Sequence, residues 1–455
     1  MSQKIIIVLD CGATNVRSVA VNEKGEILAK KSYPNNTHSD PYYKNGIIWD
    51  IDEIWNKLAK ATKEVVSKIN KKEIIGITVT TFGVDATPMN KFGEILYPVI
   101  SWACQRTKPI MNNIEKYIHP EKLYKISGVN AFSFNTINKL IWFKENKPEI
   151  IDQMDYFVFM PSLLIHKLTG EFVTDTTMTG TSMMSDIKTR GFSTKILNAI
   201  GVENKFPPML EPGKIVGTIN QNISEEIGLP MGTFVTVAGH DTQFAIFGSG
   251  SDINQPVLSS GTWEILMVRT PNIKLNKKAF NAGITTEFDA VPGLFNPGIQ
   301  WQGSGILEWI RNNIFTDVMN NPNIYDIMIK EAEAITETTV EINPDFFNNN
   351  EQIRNLNIST KRGEIYKAAL VALSKQTKKS LDLLEQNCGF KSTSITVVGG
   401  GSKNKLWNNL RSKALDMPIR TITQTETTVL GAAMFAFAGC GLFNSAEEAR
   451  DNFLI

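Results

Sequence analysis

A carboxylate follows a short apolar strand near the middle of the chain. Residues 234–238 are β-forming, and Gly239-His240-Asp241 then leads into an apolar segment of helical character. The pattern predicts that Asp241 lies at the carboxyl end of a strand, the edge at which open α/β sheets bind ligands. A carboxylate there can accept the proton of an attacking hydroxyl. It can equally cap the helix that follows it.

Glycine-containing turns elsewhere favour the first interpretation, because they suit a phosphate donor. The turns after two apolar strands hold Gly12 and Gly261, and a third strand ends in the triple glycine 399–401. Backbone N–H groups in such turns can bind phosphate, and glycine allows a base or ribose to approach the chain closely. A single hairpin glycine such as Gly12 can also serve the turn alone.

An acidic residue, Asp10, ends the run Ile-Ile-Ile-Val-Leu. A carboxylate in that place must reach solvent or a cation, and Mg²⁺ on nucleotide phosphates would suit it. We therefore expect Asp10 to lie near the metal that accompanies a nucleotide.

Other polar and aromatic residues are candidates for binding a polyol. Asp85 follows the predicted strand 74–80, although a solvated loop acid is the plainer interpretation. Trp102 and Arg106 combine an aromatic face with a guanidinium, and Trp102 can alternatively be a core residue. Gln300 is a further candidate. The sequence does not place these four side chains relative to one another.

The elements that must position these residues form two similar halves. Residues 4–9, 17–21 and 26–32 predict an antiparallel meander, followed by a helix over 50–69 and the strand 74–80. The second half shows strand, glycine turn and strand over 256–268, then a helix over 362–386 and a strand over 394–398. We expect duplicated βββαβα units with a cleft between them, and an insertion over 109–230 that helps to build a pocket.

Composition limits the classes of function. A chain of 455 residues favours two domains, and 47 basic against 46 acidic residues give no reason to expect nucleic acid or a membrane as a partner. Cys11, Cys104, Cys388 and Cys440 are far apart, which indicates neither disulfides nor a zinc site. No signal peptide or membrane-spanning run is expected, and the protein is interpreted as cytoplasmic.

Together the motifs resemble those of the FGGY carbohydrate kinases, which have the actin and hexokinase fold. Residues 10–17 resemble the first phosphate motif, 258–263 the second, 399–404 the adenosine motif and 239–241 the catalytic-base motif. The resemblance covers essentially the whole chain. It implies an α/β fold of two duplicated, ribonuclease H-like domains that flank a catalytic cleft, with a sugar-binding domain at 1–247 and a nucleotide-binding domain at 248–455.

The resemblance also implies roles for the candidate residues. Asp241 would be the catalytic base, and Asp10 and Asp241 would contact the metal of Mg-ATP. The residues expected to bind the nucleotide are Asp10, Gly12, Thr14, Asn15, Arg17, Ser260, Gly261, Thr262, Gly399, Gly400, Gly401 and Asn404. Those expected to bind the sugar are Asp85, Trp102, Arg106 and Gln300. Many family members carry an acid two residues after the tryptophan, whereas Cys104 stands here, which favours Asp85 and Arg106 as the polar anchors.

Within the family the motifs are most similar to members that phosphorylate L-fuculose, so ATP and a small ketose are the expected partners. Other ketoses, namely L-rhamnulose, L-xylulose and D-ribulose, are alternative substrates. A non-catalytic sugar or nucleotide sensor is a further alternative, because fold does not fix function. The presence of Asp241 argues against a sensor, which needs no base. A homodimer stays open as the assembly state.

Overall fold

The computed structural model describes residues 3–347, 352–422 and 426–453. Its strands are β1 Ile5–Cys11, β2 Asn15–Asn22, β3 Ile27–Pro34, β4 His38–Ser39, β5 Ile47–Trp49, β6 Ile74–Thr81, β7 Ala86–Met89, β8 Val99–Ile100, β9 Tyr156–Phe159, β10 Thr174–Asp175, β11 Ser185–Asp186, β12 Gly191–Phe192, β13 Met209–Leu210, β14 Ile215–Thr218, β15 Phe234–His240, β16 Val257–Ser260, β17 Trp263–Met267, β18 Thr285–Phe288, β19 Phe295–Gln302, β20 Glu341–Ile342, β21 Ile353–Arg354, β22 Ile395–Val398 and β23 Ile419–Thr421.

Its α-helices are α1 Ile51–Val66, α2 Lys108–Asn112, α3 Pro120–Ser127, α4 Thr136–Asn146, α5 Pro148–Gln153, α6 Met160–Thr169, α7 Thr176–Thr181, α8 Thr194–Ile200, α9 Gln221–Ile227, α10 Asp241–Gly248, α11 Lys277–Asn281, α12 Ser304–Ile314, α13 Ile324–Glu333, α14 Arg362–Cys388, α15 Lys405–Leu415, α16 Thr427–Gly439 and α17 Ala446–Asn452. Within the described ranges, none of these helices is long and apolar enough to cross a bilayer.

The first sheet has the strand order β14-β15-β6-β1-β2-β3. Strands β1 to β3 form the predicted antiparallel meander, and β6 and β15 join β1 in parallel. All seven residues of β1 are buried because helices cover both faces of the sheet. Helices α1 and α6 pack on one face, and α10 and α16 on the other.

The second sheet repeats this topology. Its order is β18-β19-β17-β16-β22-β23, in which β16, β17 and β19 form an antiparallel meander. Strands β22 and β23 extend it in parallel, as β6 and β15 extend the first sheet. The long helix α14 and its neighbours α12, α13 and α15 cover one face. Five strands of each sheet correspond in order, β3-β2-β1-β6-β15 in the first and β19-β17-β16-β22-β23 in the second, which confirms the predicted duplication. The remaining strands, β14 and β18, lie at opposite edges.

Helices α10 and α16 cross between the two sheets. The crossing is close because both helices carry glycine there: a Cβ at Gly248 would lie 2.0 Å from the carbonyl oxygen of Thr427, and one at Gly431 would lie 2.1 Å from that of Phe244. Ile246 of α10 packs on the second sheet, whereas α16 packs on the first. Each half of the chain therefore supplies a helix to the other half's sheet.

A third apolar core lies in the insertion that follows the first parallel strand. It includes residues of α2, α4, α7 and α8 together with β7 and β9. This region contains more regular helices than the sequence pattern indicated, and these helices bury their aromatic side chains in a core of their own. We propose the domain division 1–247 and 248–455. Residues 1–2, 348–351, 423–425 and 454–455 of those domains lie outside the described residues.

Candidate active site

We use the name catalytic strand end for the last residue of β15 and the first residue of α10, after the role that the sequence predicts for Asp241. His240 occupies the N-cap position without a side-chain cap, and Asp241 begins the helix. The Asp241 Oδ1 atom accepts from the adjacent Thr242 backbone nitrogen at 2.6 Å and from its hydroxyl at 3.3 Å. Because the Asp241 side chain is still 31% exposed, it has a free face toward solvent. Burial raises the pKa of Asp241, while the charge of His240 opposes this rise.

The first glycine turn joins β1 to β2. Gly12 closes it by donating its backbone nitrogen to the Asn15 carbonyl at 2.9 Å, and Thr14 and Asn15 are exposed. A cavity of about 550 Å³ opens beside this turn. It is lined by Asp10, Gly12, Ala13, Thr14, Asn15, Arg17, Lys30, Lys31, Ser32 and Glu426.

Four charged side chains form a series of ion pairs along this cavity. Arg17 lies 2.6 Å from Asp10 and 2.5 Å from Glu426, and Lys30 lies 3.2 Å from Glu426. Burial raises the pKa of Asp10 to about 6, against the lowering effect of Arg17, and the charge of Asp241 raises it further. The charge of Asp241 therefore acts on Asp10, which is consistent with the shared metal-nucleotide site predicted from the sequence. Lys30 and Glu426 had no local sequence signal, because neither lies in a glycine turn.

The second turn joins β16 to β17 and leaves Thr262 and Trp263 exposed. Ser260 was predicted to bind nucleotide, but its side chain is bonded inside the protein. It is fully buried, and its hydroxyl donates to Glu264 at 2.8 Å and accepts from Arg411 at 2.8 Å. The Ser260 side chain thus serves an internal ion pair, and Gly261 and Thr262 remain as the groups at the surface of this turn.

The third turn packs directly on the second. A Cβ at Gly401 would lie 2.1 Å from Ser260 Oγ, whereas one at Gly400 would meet nothing within 4 Å. Asn404 was predicted to bind nucleotide, but its side chain is engaged inside the protein. Its Oδ1 accepts from the Trp407 nitrogen at 3.0 Å as the cap of α15, and its Nδ2 donates to Tyr366 at 3.2 Å.

On the other side of the strand ends, Asp85 is completely buried rather than solvated. Its Oδ1 is ion-paired with Lys139, which is itself 0% exposed, and its Oδ2 accepts from Trp49 Nε1 at 2.7 Å and from the Trp102 nitrogen at 3.0 Å. Burial raises the pKa of Asp85, while Lys139 lowers it. Both oxygens of Asp85 are therefore held by the protein itself.

The residue before Asp85 has an unusual backbone. Val84 has φ of 65°, a left-handed conformation that a β-branched residue rarely adopts. Its carbonyl oxygen accepts from Thr136 Oγ1 at 2.8 Å and from Lys139 Nζ at 3.0 Å. A Cβ at Gly83 would lie 2.6 Å from His240 Nε2, so this turn contacts the catalytic strand end. Strain of this kind is held by its surroundings and is frequent in active sites.

Arg106 does not fit its predicted role. Its side chain is 0% exposed, pairs with Asp40 at 2.5 Å and lies over the rings of Tyr43 and Trp142. A fully buried guanidinium with internal partners cannot contact a sugar, so we remove Arg106 from the predicted sugar ligands. Trp102 is 41% exposed and is not a core residue.

Gln300 lies half-buried on β19, on the same face as Asn296. Asn296 was not predicted, and its amide Nδ2 donates to Gln243 Oε1 on α10. Gln243 in turn donates to Glu287 on β18. These residues join the two halves beside Asp241. Their pairing depends on contacts between distant segments, and the sequence carries no pattern that reveals it.

Behind the catalytic strand end, Asp175 and Thr177 hold its backbone. Thr177 Oγ1 accepts from the His240 nitrogen at 2.9 Å and donates to Asp175 Oδ1 at 2.6 Å. Asp175 is 2% exposed, and burial raises its pKa to about 6. Asp175 ends β10 and Thr177 lies in α7, and no local pattern in the sequence predicts this role for them.

The chain is similar to known carbohydrate kinases over nearly its whole length. The family model for the N-terminal domain of the FGGY family of carbohydrate kinases matches residues 5–248, and that for the C-terminal domain matches residues 257–440. The chain is 45% identical over 454 residues to L-fuculokinase of Escherichia coli K12, covering 99% of this chain and 95% of the relative. It is 43% identical over 456 residues to L-fuculokinase of Haemophilus influenzae, covering 98% and 97%.

Two more distant proteins also match this chain over most of its length. A rhamnulokinase of Enterococcus faecalis is 26% identical over 478 residues, covering 99% of this chain and 92% of the relative. The crystal structure of xylulose kinase from Rhodospirillum rubrum superposes with a TM-score of 0.88 at 17% identity, covering 99% of this chain and 92% of that one. The chain therefore belongs to the FGGY family of carbohydrate kinases.

Proposed function

We propose that this protein transfers the γ-phosphoryl group of ATP to L-fuculose and forms ADP and L-fuculose 1-phosphate. The observation that carries the reaction type is the position of Asp241, which is partly exposed at the end of β15 and electrostatically coupled to Asp10 of the first glycine turn. The choice of sugar is supported by the 43–45% identity to relatives named L-fuculokinase, against 24–26% for relatives named rhamnulokinase.

In the proposed mechanism, Asp241 accepts the proton of the sugar C1 hydroxyl. The C1 oxygen forms a bond to the γ-phosphorus as the bond between that phosphorus and the bridging oxygen of ADP breaks. Phosphoryl transfer needs positioning and charge neutralisation more than covalent help from the protein. The raised pKa of Asp241 suits this role, because a more basic carboxylate takes up a proton more readily.

We assign the nucleotide to the exposed backbone of the three glycine turns. The residues proposed to contact it are Gly12, Thr14, Asn15, Arg17, Gly261, Thr262, Gly399, Gly400 and Gly401. On the sugar side we propose Trp102 and Gln300 as contacts. Asp85 is proposed to act mainly through the Trp102 backbone that it fixes, since both of its oxygens are already bound.

Mg²⁺ is proposed as the metal that accompanies ATP. Within the described parts of the chain, no group of three or more His, Cys, Asp or Glu side chains could hold a metal ion. Two carboxylates, those of Asp10 and Asp241, are enough for Mg²⁺, because this ion keeps phosphate oxygens and waters among its other ligands. When bound, the ion would neutralise phosphate charge. We further propose a cytoplasmic location, where ATP is supplied.

The proposal is tested by an assay that couples ADP release to a visible signal, across L-fuculose, L-rhamnulose, L-xylulose, D-xylulose, D-ribulose and glycerol. We expect the highest kcat/KM with L-fuculose. D-Ribulose should be weaker by about 10- to 200-fold, because a lost methyl contact costs about 1–3 kcal/mol. A preference for L-rhamnulose or D-xylulose would overturn the sugar assignment. Sugar binding without ADP release from any of the six would instead favour a sensor.

A further inference from the structure

The second glycine turn is held at its base by side chains that face each other across strands. Ser260 ends β16 and pairs with Glu264 of β17, and the Ser260 hydroxyl donates to Glu264 Oε1 at 2.8 Å. On its other side Glu264 pairs with Trp301 of β19, whose Nε1 donates to Glu264 Oε2 at 3.0 Å. Both oxygens of this fully buried carboxylate are therefore bound directly below the turn.

A second charged residue, Arg411, reaches this carboxylate from a distant helix. It lies on α15, which begins shortly after the third glycine turn. Arg411 Nη2 donates to Ser260 Oγ at 2.8 Å and to Glu264 Oε1. The Arg411 Cζ atom lies 3.6 Å from the centroid of the Trp407 ring. The side chains of Arg411 and Glu264 are each 0% exposed, so this ion pair lies wholly inside the protein.

The same guanidinium is linked to the third turn. Arg411 Nη1 donates to Asn408 Oδ1 at 3.1 Å, and Asn408 Nδ2 donates to the Ser402 carbonyl at 2.7 Å. Ser402 directly follows the triple glycine, and its backbone nitrogen donates to the Gly399 carbonyl at 3.2 Å. Arg411 thus bonds to the base of the second turn through one nitrogen and, by way of Asn408, to the backbone of the third turn through another.

The two turns touch each other at the place that Arg411 supports. A Cβ at Gly399 would lie 2.8 Å from the Ser260 carbonyl oxygen, and one at Gly401 would lie 2.1 Å from Ser260 Oγ. Each turn takes its own shape from its backbone. The spacing between the turns depends instead on contacts that cross from one to the other, and the hydrogen bonds of Arg411 extend toward both.

We propose that Arg411 is a positioning residue for the nucleotide, acting through Ser260 and Asn408 to keep the second and third glycine turns at one spacing. The inference rests on the proposed binding of ATP to these turns. A nucleotide that contacts both turns needs them at a fixed distance, because groups already held in the binding geometry need no ordering when the ligand binds. Arg411 does not touch the nucleotide itself, since its side chain is completely buried.

Burial makes the two ions depend on each other. It lowers the pKa of Arg411, and the charge of Glu264 opposes this change. It also raises the pKa of Glu264, and the charge of Arg411 opposes that rise. Removal of one ion leaves the other buried without its counter-charge. Loss of Arg411 should therefore disturb Glu264 below the second turn as well as the link to Asn408.

The test is the affinity of Arg411→Met for ADP, measured by calorimetry without sugar. We expect the Kd to rise about tenfold, which corresponds to the loss of about one hydrogen bond in binding energy. In the coupled assay, with whichever sugar the wild-type enzyme phosphorylates fastest, the KM for ATP should rise while kcat and the KM for the sugar stay near their wild-type values. A general loss of folded enzyme would lower kcat instead.

The matched control is Arg269→Met. Arg269 lies in the same half of the chain, its side chain is 3% exposed, and it forms a buried ion pair with Asp289. It follows β17 at the end opposite to the second turn. We expect this variant to lose stability in urea unfolding, as Arg411→Met does, and to keep the wild-type affinity for ADP. Equal losses of ADP affinity in the two variants would overturn the inference, and so would unchanged affinity in Arg411→Met.

A milder variant carries the test if Arg411→Met does not fold. Asn408→Ala cuts the link to the third turn and leaves Arg411 paired with Glu264. We expect it to bind ADP more weakly than the wild type, and unchanged affinity would overturn the inference. Absence of ADP binding to the wild type would refute the nucleotide assignment and this inference together. Failure of wild-type turnover on L-fuculose would refute the proposed substrate alone.

Discussion

The two sides of the candidate cleft differ in the kind of contact that holds their groups in place. On the proposed nucleotide side the groups at the surface belong to three turns, at Gly12, Gly261 and Gly400, and the neighbouring Ser260 side chain is bonded inside the protein. On the proposed sugar side the turn at Val84 is strained and held by the buried pair of Asp85 and Lys139. On one side each turn takes its shape from local chain geometry, and on the other the shape depends on charges brought together from distant segments.

This difference explains what each side can tolerate. A backbone turn needs a small residue and free space around it, so added side-chain atoms disturb it. A buried ion pair needs both partners, because each ion loses its hydration on burial and regains interaction energy only from the other. The shape of the strained turn should therefore be sensitive to single charge deletions, and that of each glycine turn to added volume.

The largest effect is expected where the two sides meet. Asp241→Asn should lower kcat by about 10²- to 10⁴-fold, because the variant cannot accept the proton of the attacking hydroxyl. Nucleotide affinity, measured by calorimetry, should stay near the wild-type value. The exposed Asp252, which lies outside the cleft motifs, supplies the control Asp252→Asn. Turnover of Asp241→Asn within a few-fold of the control would leave Asp241 without a catalytic role.

On the sugar side, Lys139→Met should lower the free energy of unfolding by about 3–5 kcal/mol, because the Asp85 carboxylate is left buried and unpaired. Urea unfolding measures this loss. Lys125→Met is a matched control, since Lys125 pairs with Glu121 at the surface with 53% of its side chain exposed, where such pairs contribute about 0–1 kcal/mol. Equal losses in the two variants would show that the buried pair does not support the sugar side.

The support behind the base gives a pH signature. The pKa of Asp175 is about 6 in the folded protein, raised from 3.8 by burial. The folded state therefore holds this proton more tightly than the unfolded state, so the stability from Asp175 is lost as pH rises from about 4 to 6.

Asp175→Asn removes that loss. The stability of the variant relative to wild type should rise across the same window by at most about 3 kcal/mol. Unfolding curves at several pH values measure the difference. A difference that stays constant with pH would contradict the raised pKa.

The smallest effect is expected from a pair of glycines on the nucleotide side. Gly401→Ala places a methyl group 2.1 Å from Ser260 Oγ, whereas Gly400→Ala places one in open space. Overpacking costs about 1–3 kcal/mol, so we expect Gly401→Ala to lower the free energy of unfolding by about this amount and Gly400→Ala to leave it nearly unchanged. Urea unfolding of the two variants without nucleotide measures the difference, and equal losses would show that the turn is not limited by its packing on Ser260.

The same difference, between local chain geometry and contacts of distant segments, determines how much could be predicted from the sequence. The meander, the duplicated sheets and the position of Asp241 follow from strand periodicity and glycine spacing, which are local. The surroundings of Asp85 and Arg106 do not, because Lys139 and Asp40 lie 54 and 66 residues away from them in the chain. Arg411 bonds to Ser260 from 151 residues away in the chain, and no single segment contains that information.

We predict that ATP and L-fuculose are converted in equal amounts to ADP and a sugar phosphate ester on the C1 oxygen. Phosphorus NMR of the reaction mixture, with proton coupling to the ester phosphorus retained, measures both the stoichiometry and the position of the phosphate. We expect one ester signal, coupled to the two C1 protons, to grow as the γ-phosphate signal of ATP falls. Release of inorganic phosphate without an ester, or an ester on another carbon, would contradict the proposed reaction.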